Sequence, residues 1–202
     1  MSVVLGWDSE TLREKVDLMA VGERLRELGD MRSLAALNEK VSLLRMAEQL
    51  DEALRTANQA LTQARFTGDR ETAARARIRR AAVLHYQGKL TEAITELSDV
   101  VSESGTHEWR RTEAYARQHR AKALFEQGDL EAAAADLRTT ADIRRRLQVP
   151  DDELESTLFA LEVVEAKLDE RRRSGYVAPE APTTARTGPD AARREHPDAG
   201  VL

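Results

Sequence analysis

An internal repeat constrains the fold of this chain more than any other feature of its sequence. When the sequence is shifted by 40 residues, segment 72–97 aligns with segment 112–137 without a gap. The coinciding pairs include Thr72/Thr112, Ala76/Ala116, Arg77/Arg117, Arg80/Arg120, Ala81/Ala121, Leu84/Leu124, Gly88/Gly128, Ala93/Ala133 and Leu97/Leu137. A fixed period of this length is the sequence signature of a stacked repeat architecture.

A third and more degenerate copy lies another 40 residues upstream. Ala36, Leu44, Leu50 and Ala53 match Ala76, Leu84, Leu90 and Ala93. Glu48 occupies the position of Gly88 in this copy. We therefore predict three repeats over residues 31–150.

Each copy is predicted to form two antiparallel helices joined by a short turn. In the second copy the helices are expected at residues 70–87 and 91–104, with Thr91 as the N-cap of the later one. Gly88 lies between them, where the end of a helix favours left-handed backbone and glycine carries no Cβ penalty. Ala93 is expected at a helix crossing, where a small side chain lets two backbones approach closely.

The segments that flank the repeats have helical patterns of their own. Residues 8–29 carry apolar side chains at helical spacing, so residues 1–30 are interpreted as an N-terminal helix, an eroded half-repeat. Residues 151–173 begin with acidic and end with basic side chains, which complements a helix dipole and predicts a capping helix over 151–174. Residues 175–202 are rich in Pro, Ala, Thr and charge, and we predict that they are disordered.

The composition restricts the classes of function. Cysteine is absent, which excludes disulfides and cysteine-ligated metal sites. The four histidines have no metal-ligand spacing, and no phosphate-binding glycine loop, nucleophile elbow or dinucleotide fingerprint occurs. We therefore expect no metal, no cofactor and no enzymatic activity. The net charge of −5 argues against a nucleic-acid partner.

The N-terminus lacks the basic region of a secretory signal, and no apolar stretch is long enough to span a membrane. The chain is accordingly expected to be soluble and cytoplasmic, with no membrane partner. Arginine outnumbers lysine and alanine is abundant, which suggests a GC-rich bacterial source.

The turn sequences resemble a known repeat. The runs GKLTEA at 88–93 and GDLEAA at 128–133 are similar to the tetratricopeptide consensus, which has Gly at the turn and Glu-Ala at the start of the second helix. The resemblance covers roughly residues 31–147, and the long period is similar to that of kinesin-light-chain-like members. It implies an all-α fold, a right-handed α-solenoid of antiparallel helix pairs with about eight helices. Arg77 and Arg80 stand where the family usually has an aromatic residue and Leu.

The resemblance also implies a site, because the first helix of each repeat lines a concave surface in this family. The partner-binding positions are then Asn38, Arg45, Arg75, Ile78, His85, Tyr86, Tyr115, Gln118, Lys122 and Phe125, beside Ala35, Ser42, Met46, Ala82 and Glu126. The aromatic and basic side chains in this set suit a protein or peptide partner of acidic character. The alternative is that His85, Tyr86 and Phe125 only pack between helices.

Charge is distributed unevenly between the two helices of the second copy. Segment 70–87 is rich in arginine, whereas segment 91–104 carries glutamate and aspartate without a basic residue. The favoured interpretation is that the two helices form ion pairs with each other, and the alternative is that the basic helix steers an acidic partner.

These features predict a protein–protein interaction scaffold that binds a partner protein or peptide on its concave face. Two alternatives stay open at this point. One is a peptide-sensing regulatory module that acts in trans on a separate effector. The other is a self-assembly module that forms a homodimer.

Overall fold

The computed structural model describes residues 3–66 and 69–175. In this part of the chain a short antiparallel sheet is followed by eight helices. The elements are β1 (Val4–Trp7), β2 (Glu14–Val16), α1 (Leu18–Leu28), α2 (Leu34–Met46), α3 (Leu50–Phe66), α4 (Arg70–Tyr86), α5 (Leu90–Thr106), α6 (Arg110–Gln127), α7 (Leu130–Leu147) and α8 (Asp151–Arg173). The predicted disorder of the C-terminal tail falls outside the described residues from residue 176 onward.

Helices α2 to α7 form three pairs that coincide with the three sequence repeats. Consecutive helices pack against each other along the chain, and α4 also contacts α2 and α6. We call α2, α4 and α6 the inner helices, because these first helices of the repeats share one side of the stack. Across the described residues, no helix combines the length and apolarity that crossing a membrane requires.

The turns between helices share one backbone feature. Gly88 and Gly128 have φ of 76° and 90°, which confirms the left-handed turn predicted for this position. Glu48, Glu108 and Gln148 adopt φ of 58°, 58° and 51° at the corresponding turns. From Gly88 to Gln148 these turns recur every 20 residues, so the structural unit is one helix and its turn, half the period of the sequence repeat.

The first turn of α5 differs from the prediction. The helix begins at Leu90, with Lys89 in the N-cap position and without a side-chain capping bond. Thr91 is already helical, and its carbonyl accepts a hydrogen bond from the hydroxyl of Thr95. Thr91 is therefore not the N-cap, because the left-handed residue Gly88 lets the chain re-enter a helix after a single further residue.

The prediction that residues 8–29 form one helix is wrong. β1 and β2 pair antiparallel, and only Leu18–Leu28 is helical. Asp8 closes the turn that follows β1, where its carboxylate accepts hydrogen bonds from the backbone N–H of Glu10 and of Thr11. Asp17 then caps α1 by accepting hydrogen bonds from the first helical N–H groups.

The burial of Leu12 explains why a segment whose apolar residues have helical spacing forms a hairpin. Its side chain is only 1% exposed and belongs to a cluster with Phe125, Leu137 and Val164, on α6, α7 and α8. Its backbone has a φ of 57°, which is uncommon for a leucine. Burial of an apolar side chain among distant helices thus outweighs the local preference for a helix.

Candidate binding surface on the inner helices

The basic and acidic helices of the repeats neutralise each other. The Arg80 Nη2 lies 2.6 Å from Glu96 Oε1, and the Arg77 Nη1 lies 3.0 Å from Glu103 Oε2. In the next repeat Arg117 and Arg120 both contact Asp136, at 2.8 and 2.7 Å. The favoured interpretation of the charge pattern is therefore confirmed. These arginines bind the second helix of their own repeat.

The N-terminal hairpin, residues 4–16, lies against the C-terminal halves of the inner helices. The carboxylate of Glu14, at the start of β2, is the centre of this contact. It accepts hydrogen bonds from Arg45 Nη1 at 2.9 Å, from Lys122 Nζ at 2.9 Å and from the Tyr86 hydroxyl at 2.7 Å. These four residues, from β2, α2, α4 and α6, are called the Glu14 site below.

The charged groups of the Glu14 site are largely removed from water, with side-chain exposures of 13% for Glu14 and 7% for Arg45 and Lys122. Burial alone would raise the pKa of Glu14, but the positive charges of Lys122 and Arg45 hold this pKa well below its ordinary value. Burial lowers the pKa of Lys122, against the attraction of Glu14. Burial also raises the pKa of the Tyr86 hydroxyl, which therefore stays a neutral donor. A carboxylate held by two buried cations is a strong, specific interaction.

Tyr86 is enclosed by arginines from the hairpin and from α2. The Arg13 guanidinium lies 4.3 Å from the centre of the Tyr86 ring, and that of Arg45 lies 4.4 Å from it. Arg13 also pairs with Glu126, and the Nε2 atom of His85 lies 3.2 Å from the same carboxylate. Burial would raise the pKa of Glu126, yet His85 and Arg13 keep it below its ordinary value.

The hairpin extends from the inner helices to α8. The Trp7 ring lies 5.8 Å from the ring of Phe159, and Lys167 Nζ donates to Glu10 Oε2 at 3.0 Å. Leu12 fills the core between these contacts. One extended segment of the chain thus contacts α2, α4, α6 and α8.

Most of the residues predicted to bind a partner are covered. Six of the ten are buried, namely Arg45, Ile78, His85, Gln118, Lys122 and Phe125. Ile78 belongs to the core between α4, α5 and α6, and Phe125 to the core beneath Leu12. The structure brings Arg45, Tyr86 and Lys122 together as a group, around a carboxylate of the same chain. Asn38 is half-buried, and its Oδ1 atom has no hydrogen-bond partner among the described residues.

The two remaining predicted residues, Arg75 and Tyr115, lie elsewhere. They line a separate cavity of about 310 Å³ near the starts of α4 and α6. The inner side of the stack is thus divided into a half covered by the hairpin and an open half lined by arginine. A wider groove of about 840 Å³ lies between α3, α4 and α5, over the ion pairs of Arg77 and Arg80.

The residues of the hairpin that complete the site are not among those predicted from the sequence. Leu12, Arg13 and Glu14 fall within the predicted helix, although two features of the N-terminus indicate a hairpin. Val3, Val4 and Trp7 are β-prone, and the following Asp8-Ser9 is a turn signal.

The described residues contain no group of three or more His, Asp or Glu side chains arranged to hold a metal ion. No protein-family model matches this chain, and comparisons with curated proteins and with solved structures find no match. The class of the protein is therefore taken from the structure itself. It is a stack of consecutive antiparallel helices whose inner helices bind the N-terminal hairpin of the same chain.

Proposed function

We propose that this protein is an interaction scaffold, a tetratricopeptide-like right-handed solenoid whose inner helices bind an acidic segment of a partner protein. The observation that supports the proposal is the Glu14 site. There, an extended segment with a carboxylate already occupies the surface that the sequence predicts for an acidic partner. The N-terminal hairpin is in this sense a ligand bound in cis.

The two buried cations of the Glu14 site require a carboxylate as their counter-ion. Arg45 and Lys122 are 5% and 6% exposed, so both are largely removed from water. Buried cations without a counter-ion are strongly destabilising, typically by about 3–5 kcal/mol when one partner of a buried pair is removed. A segment that displaces the hairpin must therefore supply an acidic side chain between Arg45 and Lys122.

The hairpin also indicates what should surround that acidic residue. Leu12 is buried and Glu14 binds the cations, whereas Arg13 between them covers the Tyr86 ring. Leu12 has left-handed backbone and precedes the strand, and its side chain and that of Glu14 both contact the inner helices. The expected partner motif is an apolar residue, any residue, and then an acidic residue.

The hairpin must then limit binding by competition. A partner can bind only to molecules in which the hairpin has left the surface, so the apparent affinity falls with the fraction of open molecules. The competitor is covalently attached, which gives it a high effective concentration. Weakening the hairpin should therefore strengthen the binding of a partner.

Peptide display on the purified protein tests this function. We expect Glu14→Gln to enrich peptides with the apolar-x-acidic motif more strongly than the wild type does, because the cations of the site lose their internal carboxylate. Glu10→Gln is the matched control, since Glu10 lies in the same hairpin but pairs with the exposed side of α8. A synthetic peptide with the sequence of residues 3–17 should compete with the enriched peptides.

The proposal fails if the enriched peptides lack an acidic residue, or if the hairpin peptide does not compete with them. It also fails if an additional Lys122→Gln change leaves the selected peptides bound as before.

A second copy of the chain is an alternative ligand, because it carries the same hairpin. Exchange of identical hairpins between two chains would give a homodimer, by the route known as domain swapping. Light scattering over a range of concentrations separates the two functions. A monomer at all concentrations excludes the homodimer and leaves the interaction scaffold.

A further inference from the structure

The open half of the inner side holds a cavity that the hairpin contacts do not explain. It has a volume of about 310 Å³ and lies where α4, α6 and α8 begin, next to the turn after α7. The charged side chains that line it are Arg75, Arg79, Arg111, Arg144 and Glu153. Four of these five groups are guanidinium ions, so the cavity carries an excess of positive charge.

Two of the arginines are neutralised by neighbours. Arg75 Nη2 lies 3.0 Å from Glu71 Oε1, and Arg111 Nη2 lies 2.8 Å from Glu153 Oε1. Arg79 and Arg144 have no carboxylate oxygen within 4.0 Å among the described residues. Two positive charges therefore remain without a counter-ion at the wall of the cavity.

Arg144 is the more unusual of the two, because its residue is only 7% exposed. Its Nη1 atom donates to the Oε1 atom of Gln118, to the Glu153 carbonyl and to the Thr157 hydroxyl, which are neutral acceptors. Within the described chain all hydrogen bonds of Arg144 leave from Nη1, so its Nε and Nη2 atoms keep donors for a ligand. Burial lowers the pKa of Arg144, although the negative charge of Glu153 acts in the opposite direction.

Arg79 is held beside an aromatic ring. Its guanidinium lies 5.8 Å from the centre of the Tyr115 ring, and its Nη1 atom donates to the Arg75 carbonyl at 3.2 Å. Tyr115 lines the cavity together with Leu147 and Val149. The cavity thus has an arginine wall and an apolar wall, which together suit an anion with a small organic body.

We propose that this cavity is a binding site for a phosphate monoester, with the phosphate between Arg79 and Arg144 and the organic group against Tyr115, Leu147 and Val149. A doubly charged phosphate matches the two uncompensated cations, and guanidinium groups bind phosphate oxygens through paired hydrogen bonds. The volume lies at the lower end of small-ligand sites, so the ligand is a small molecule or a single modified side chain.

The phosphate site is separate from the Glu14 site. Neither Arg79 nor Arg144 contacts the hairpin, whose ion pairs use Arg45 and Lys122. The two proposals can therefore fail independently of each other.

Titration calorimetry on the full chain, with phenyl phosphate, inorganic phosphate and benzoate, tests the site. We expect phenyl phosphate to bind more tightly than inorganic phosphate because of the apolar wall, and benzoate to bind weakly because it carries a single charge. The Arg79→Gln and Arg144→Gln variants should each weaken phenyl phosphate binding at least about tenfold, because each removes one of the two cations proposed to hold the phosphate. Arg146→Gln is the matched control, since Arg146 lies exposed on α7 and does not line the cavity.

A phosphoserine peptide in the same titration identifies the source of the phosphate. Tighter binding of this peptide than of phenyl phosphate assigns the site to a phosphorylated protein segment, and the reverse order assigns it to a small metabolite. The proposal is overturned if none of the phosphate probes binds at millimolar concentration. Equal losses in Arg79→Gln and Arg146→Gln, with circular dichroism unchanged, would also overturn it by showing a general effect of charge.

Discussion

At the scale of single residues, Glu14 places its carboxylate between two buried cations from different repeats. Arg45 belongs to the first repeat and Lys122 to the third, while Tyr86 of the second donates to the same carboxylate. A single acidic side chain thereby joins all three repeats on their inner side. Its removal leaves Arg45 and Lys122, both buried, without the carboxylate that they share.

The Glu14→Gln change should lower the free energy of unfolding by about 3 kcal/mol, because it leaves Arg45 and Lys122 buried without their counter-ion. Urea unfolding followed by circular dichroism measures this difference. The Glu10→Gln control removes an exposed pair with Lys167 and should cost at most about 1 kcal/mol. Similar losses in the two variants would show that the Glu14 site contributes no more than an exposed ion pair.

Stability should also depend on pH through Glu14. Its pKa in the folded chain lies below the ordinary value of 4.5, so the unfolded chain takes up a proton first as the solution is acidified. The contribution of Glu14 is therefore complete above its ordinary pKa and is lost as the pH falls below it.

Urea unfolding at about pH 7 and about pH 4 checks this dependence. The wild type should lose more stability between the two values than Glu14→Gln does, since the other carboxylates are common to both proteins. An identical loss in the two proteins would contradict the assignment to Glu14.

At the scale of elements, the turns explain the regular spacing of the helices. Each turn needs a residue in left-handed conformation, which Gly88 and Gly128 adopt without strain. Glu48 adopts the same conformation in the first repeat, with a φ of 58°. The degenerate copy of the repeat therefore has the same turn geometry as the other copies. Its left-handed backbone is less favourable, because Glu48 has a Cβ atom and glycine has none.

Glu48→Gly should raise the free energy of unfolding by about 1 kcal/mol, because left-handed backbone costs an L-residue with a Cβ atom about this much. Glu52→Gly, four residues later and exposed within α3, is the matched control. It should lower the stability by about 1 kcal/mol, since glycine is unfavourable inside a helix. The same sign in both variants, measured by urea unfolding, would contradict the role of the turn.

At the scale of the whole molecule, the hairpin and the helical stack should differ in stability. The stack is held by many contacts between neighbouring helices, whereas the hairpin depends on a few contacts at the end of the chain. In repeat proteins stability is approximately a sum over units and their neighbours. Opening of the hairpin should therefore leave the stack from α2 to α7 folded.

Hydrogen exchange measured by mass spectrometry tests this separation. In the Glu14→Gln variant we expect faster exchange in residues 4–16, with protection retained in α4 to α7. Local opening of the hairpin exposes only the backbone amides whose protection depends on the closed hairpin. Exchange that increases equally in the hairpin and in α5 would show that the two parts unfold together.

The sequence by itself determined the helices, the three repeats and the glycine turns, because these depend on side chains within about 40 residues of each other. It also predicted the pairing of basic with acidic helices, since the charges recur with the repeat. The hairpin was decided by tertiary structure, where Glu14 meets Lys122 across 108 positions of the chain. Local propensity does not depend on contacts between residues so far apart in the chain. The hairpin buries Leu12 among distant helices, and this burial contributes free energy that a helix at the N-terminus would not gain.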